Sequence, residues 1–107
     1  MSDEELVEGI IHMTLKLPGG NIRYTRVGFK EWCIEMVWVA KAMRKHGLGS
    51  KLMEAFLKRA KEEEIRKVTL VASPAYKTPL EVLINFYSKF GFKSTDHKNG
   101  EEMMCLN

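Results

Sequence analysis

The 107-residue chain is short of cysteine and proline and has no long hydrophobic run. Each shortage excludes something. Two cysteines, Cys33 and Cys105, cannot build a disulfide framework, and no Cys/His cluster has zinc-ligand spacing. A reduced, cytoplasmic protein without a metal site is therefore expected. No apolar stretch approaches the roughly 20 residues that cross a bilayer. The acidic opening Met-Ser-Asp-Glu-Glu is unlike the basic start of a secretory signal, so neither membrane insertion nor export is expected. Repeats, linkers and low-complexity tracts are also lacking. So is charge of one sign: the net value of +3 is too small to argue for nucleic acid, and suits a phosphate-binding patch or an acidic partner equally well. What remains, 45% hydrophobic and 29% charged, is an ordinary globular composition. The length allows one domain over residues 1–107 with one core.

Periodicity gives a mixed α/β order. Residues 1–5 read as a frayed acidic tail. Ile11, Met13, Leu15 and Leu17 alternate within Leu6–Leu17, a strand. Pro18-Gly19-Gly20-Asn21 is a turn by composition, and Ile22–Val27 alternates again, closing a hairpin. Trp32–Val39 is a third strand, apolar from Ile34 onward except at Glu35, which suits a central position. Leu48–Glu64 has a helical apolar stripe, and Lys67–Ala72 is a short β-branched strand. A second helix is expected to open with Thr78 as N-cap, Pro79 in the first turn and Glu81 completing a capping box, and to end before Gly91. Lys93–Lys98 and Glu101–Leu106 pair across Asn99-Gly100, a strong hairpin signal. The predicted order is βββ-α-β-α-ββ.

Two motifs carry chemistry. Arg44-Lys45-His46-Gly47-Leu48-Gly49 joins the third strand to the first helix. Glycines at such a turn let backbone approach a ligand closely. The free N–H groups of the first helical turn (Leu48, Gly49, Ser50), with the helix dipole, favour a phosphate or pyrophosphate. Arg44, Lys45 and Lys51 add positive charge on the same side. The second motif, Asn85-Phe86-Tyr87-Ser88-Lys89-Phe90-Gly91-Phe92, closes the last helix.

As spelled, R-x-x-G-x-G resembles the acetyl-CoA loop of the GCN5-related N-acetyltransferases, Q/R-x-x-G-x-G/A, and the second motif resembles the F-Y-x-K-x-G-F ending of that family's last helix. Both stand in the family's order, and the resemblance runs from about Ile22 to the C-terminus. It implies acetyl-CoA as cosubstrate and acetyl transfer by direct attack of a primary amine. The amine could be a protein lysine. It also implies that Arg44 to Ser50, with His46 inside the loop, hold the cosubstrate. Backbone at Val37, Trp38 and Val39 would bind the pantetheine arm as an added strand, an N–H at Val37 or a neighbour serving as oxyanion donor. Glu35 falls where members often place a base, and a carboxylate inside an apolar strand is expected to be partly desolvated. Tyr87 matches the acid that protonates the departing thiolate. Lys45 replaces a common glycine of the loop; the Asn with which many members hold the cosubstrate would fall near Leu80, and Ser73 or Thr78 could substitute for it. The family fold usually begins with a further strand and two helices that wall the acceptor pocket. Their lack here implies a reduced form with an open acceptor surface, monomeric or homodimeric. A looser resemblance is to compact phage acetyltransferases, including the anti-CRISPR one, through the Gly-Gly turn, the Ile-x-Met-Val-x-Val strand and the Phe-Tyr helix. The alternative reading is a non-enzymatic acyl-CoA-binding or interaction module. Cys33 and His12 read as ordinary facing residues, and no hydrolase arrangement can be built on His46 or His97.

Overall fold

Apolar residues at every second position place one continuous row on one face of a sheet. In the computed structural model Met13, Tyr24, Ile34, Leu70 and Met104 are register partners across five strands, and all are buried. The structure describes residues 2–7, 10–44, 46–74 and 78–107, the first six by backbone alone. The strands are β1 (Ser2–Val7), β2 (Ile10–Leu17), β3 (Gly20–Gly28), β4 (Glu31–Val39), β5 (Lys67–Ala72), β6 (Lys93–Lys98) and β7 (Glu101–Leu106). Two helices, α1 (Leu48–Glu62) and α2 (Leu80–Ser88), flank β5 in sequence, and a 3₁₀ turn spans Lys41–Met43. The seven-stranded sheet runs β1-β2-β3-β4-β5-β7-β6, antiparallel except for the parallel β4–β5 pair that α1 bridges.

The mixed α/β architecture follows the expected order with one strand more. Residues 2–5 are not a frayed tail, because β1 pairs with β2 from Ser2↔Leu15 to Val7↔Ile10. The expected strand Leu6–Leu17 is thus split between two. β1 is an edge strand, where acidic residues are tolerated because only the backbone has to pair. Pro18 and Gly19 (φ +89°) turn β2 into β3, and Asn99 and Gly100 (φ +55° and +75°) turn β6 into β7 as the Asn-Gly pair demands.

Helix α1 lays Leu52, Met53, Phe56 and Ala60 on the apolar row. Tyr24, Trp32 and Phe56 meet there with ring centroids 4.7–5.6 Å apart, the range favoured by aromatic pairs. The neighbouring register row, His12, Thr25, Cys33, Thr69 and Cys105, falls on the opposite face. Helix α2 begins one residue later than expected. Pro79 is its N-cap, extended at ψ 147°, and its carbonyl accepts from Val82 and Leu83. Thr78 then lies outside the helix, and no side-chain cap bond forms. The helix ends at Ser88, and Gly91 takes φ +96° two residues past the cap at Lys89.

Candidate active site

The sheet divides at one place. β4 and β5 pair only from Glu31↔Lys67 to Ile34↔Leu70. Beyond that point β4 stays with β3 as far as Val39, while β5 stays with β7 as far as Ala72. The cause is local to β4. Ile34 pairs with Tyr24 and Met36 with Arg23, leaving Glu35 without a partner across β3. Such a bulge bends its strand and increases the local twist. Met36–Val39 therefore offers a backbone edge toward β5 that no strand among the described residues occupies.

The gap is a cavity of about 390 Å³. Its walls are Glu35, Met36, Val37, Trp38 and Val39 from β4, Arg44 from the loop, Val71, Ala72 and Ser73 from the end of β5, and Thr78, Leu83 and Tyr87 around α2. Of the residues singled out in the sequence, Glu35, Tyr87, Val37, Trp38, Val39, Arg44 and Ser73 line one cleft. Arg44 is also tied to the strand it follows, since its Nε donates to the Val39 carbonyl at 3.1 Å.

The loop residues divide by role. Gly47 is the N-cap of α1 with φ +78°, a left-handed conformation that favours glycine, and its carbonyl accepts the N–H of Lys51 at 3.1 Å. The N–H groups of Leu48, Gly49 and Ser50 come before that first helical bond, and no side chain caps them. Leu48 sends its side chain into the core, so only its backbone is available to a ligand. A Cβ on Gly49 would lie 3.5 Å from the Phe86 ring, which places the start of α1 against α2. His46 and Lys51 are exposed, and Lys45 lies outside the described residues.

Tyr87 is almost wholly enclosed, packed edge-on between Phe86 and Phe92. Burial pushes its phenol above the ordinary tyrosine value, so it stays protonated at neutral pH. Glu35 stands in β4 beside the register shift with β3, and its side chain is 33% exposed. Its Oε1 is 2.9 Å from Nδ1 of His12, on the far side of β3. Sequence reasoning missed that contact, for the two residues share no motif and stand on strands that do not pair with each other. Cys33 is half-buried, with Sγ toward the Ile34 carbonyl, as a packing residue would be.

A mixed sheet split between its parallel strands, with Arg44 and a buried tyrosine on the walls of the split, defines the class. Residues 12–92 match the model of the acetyltransferase (GNAT) family, and the chain belongs to that family. Among solved structures it is similar to the anti-CRISPR protein AcrVA5, with 30% identity, TM-score 0.72, and coverage of 90% of this chain and 98% of that one. It shares its fold with the PaiA N-acetyltransferase of Thermoplasma acidophilum in complex with coenzyme A (18% identity, TM-score 0.72). There the match covers 92% of this chain but only 60% of the other. A GNAT family acetyltransferase of Elizabethkingia anophelis with acetyl-CoA bound also matches (17% identity, TM-score 0.72, 92% and 76% covered). No curated protein matches the chain.

Proposed function

We propose that this chain transfers the acetyl group of acetyl-CoA to a primary amine, with a protein lysine as the acceptor class that best suits an open cleft. One observation carries the reading: a carboxylate and a protonated phenol stand on the walls of a single gap beside an unpartnered strand edge. The groups present fit the cosubstrate. The uncapped N–H groups of Leu48, Gly49 and Ser50 suit its diphosphate. Arg44 stands close by as a positive charge, Ser73 and Thr78 line the cleft, and the Met36–Val39 edge suits the pantetheine amides. Acetyl-CoA would supply the acyl group as a thioester.

The chain's own part is proton handling and charge stabilisation. Glu35 takes a proton from the entering ammonium, so that the nitrogen lone pair can form the new N–C bond. An N–H of the open β4 edge, at Val37 or a neighbour, donates to the thioester oxygen as charge builds there. The C–S bond breaks as Tyr87 donates its proton to the departing sulfur, the acylated nitrogen gives up its second proton to solvent, and Tyr87 is refilled from solvent.

Thioester cleavage assayed against pooled amines and lysine peptides tests this reading. The wild type should release thiol with at least one of them. A lysine ammonium has a pKa near 10.4 and is almost wholly charged at pH 7. Glu35→Gln should therefore be slow near neutral pH and recover as the pH approaches the pKa of the amine. Parallel pH–rate curves for mutant and wild type would make Glu35 a structural residue. Binding of acetyl-CoA without cleavage by any amine would make the chain a binding module.

A further inference from the structure

We infer that His12 is a positioning residue for Glu35, its imidazole N–H fixing one carboxylate oxygen so that the other stays on the acceptor side of the cleft. The inference rests on the reading of Glu35 as base. The contact is close, Nδ1 to Oε1 at 2.9 Å, and spans two strands: His12 on β2 reaches past β3 to the bulge of β4.

Three features of the pair argue for positioning. Glu35 sits at the one position of β4 between Ile34 and Met36 that has no register partner on β3, so the regular ladder does not set its direction. A glutamate side chain a third exposed keeps much of its rotamer freedom unless something holds it. A base has to be within hydrogen-bond reach of the proton it removes, and misplacement by about 1 Å can cost a hundredfold in rate. Stability is a poor explanation of the contact. Both side chains are a quarter to a third exposed, and ion pairs so placed contribute little. His12, by contrast, is on a strand paired on both sides, to β1 and to β3, which makes it a firm anchor.

The test is a double-mutant cycle read in the thioester-cleavage assay, with pooled lysine peptides and small diamines as acceptors. The variants are His12→Ala, His12→Asn, Glu35→Gln and the double variant His12→Ala/Glu35→Gln, each first shown by thermal melting to be folded. His12→Ala should lower kcat roughly ten- to a hundredfold while leaving KM for acetyl-CoA within about twofold. His12→Asn should recover most of the rate, because its amide can donate from near the position of Nδ1. In the Glu35→Gln background His12→Ala should cost nothing further, since a residue that acts through Glu35 has nothing left to position.

Full turnover by His12→Ala would overturn the positioning role and leave Glu35 as base. An undiminished cost of His12→Ala in the Glu35→Gln background would overturn it too, by showing that His12 acts alone. So would a His12→Asn variant as slow as His12→Ala, which would point to proton transfer by the imidazole. Unchanged turnover by Glu35→Gln, or none by the wild type, would overturn the reading of the base and the inference with it.

Discussion

At the scale of single residues, the two groups given chemical roles were legible to different degrees. Tyr87 was legible through the Phe-Tyr pair in its helix, and its burial follows from the helical spacing of Leu83, Ile84, Tyr87 and Phe90. Tyr87→Phe keeps the ring and removes the proton donor. General acid catalysis is typically worth 10²–10⁴-fold, so kcat should fall over about that range while acetyl-CoA affinity barely changes. Turnover within about twofold of wild type would leave Tyr87 a core aromatic. The same hydroxyl gives a stability test. Burial raises the phenol above its usual value near 10, so the folded chain holds that proton more tightly than the unfolded one. This contribution is fully present below about pH 10 and is lost as pH rises through the higher folded value. The melting temperature of wild type should thus fall more steeply above pH 10 than that of Tyr87→Phe, and identical alkaline profiles would contradict it. Glu35 was legible as a position, but the register shift beside it was not, because a sequence shows an apolar strand and not a bulge. His12 was not legible as its partner, since 23 residues and an intervening strand separate them.

At the scale of elements, hydrophobic periodicity and turn chemistry gave both helices and the hairpins, and the errors fall where a backbone detail decides. The capping box at Thr78 fails because Pro79 remains extended and takes the cap position itself. The Gly19-Gly20 turn was readable, but the reason for its second glycine was not. A Cβ on Gly20 would stand 2.7 Å from the Trp38 carbonyl oxygen and 2.9 Å from Leu52 Cδ1, against a paired strand and under α1. Gly20→Ala should therefore lower stability by about 1–3 kcal/mol, the usual cost of overpacking. Chemical denaturation would show this as a lower midpoint at unchanged slope, and an unshifted midpoint would mean that β3 and β4 slide apart freely. Gly47 behaves differently. Nothing lies within 4 Å of a Cβ placed there, so Gly47→Ala meets only the left-handed backbone at φ +78° and should cost about 1 kcal/mol.

At the scale of the whole molecule, one bulge shapes the site. The bulge at Glu35 ends the parallel pairing, the divided sheet opens the cleft, and Arg44, ahead of α1, lines it. The loop and Phe-Tyr motifs each supply one residue to the cleft, Arg44 and Tyr87, but its shape depends on where β4 leaves β5, and no local pattern records that. Among the described residues α1 and α2 are the two α-helices, and the acidic β1 was missed because an edge strand needs no apolar face. Whether this cleft holds acetyl-CoA is decided by titration calorimetry on wild type and Gly49→Val. A methyl at Gly49 would meet Phe86 at ordinary contact distance, but the branches of valine would crowd the uncapped N–H groups where the diphosphate is placed. With the variant shown to be folded by its melting curve, saturable one-to-one binding should weaken at least tenfold, about 1.4 kcal/mol. Equal affinity in the two proteins, or no binding by the wild type, would contradict the account.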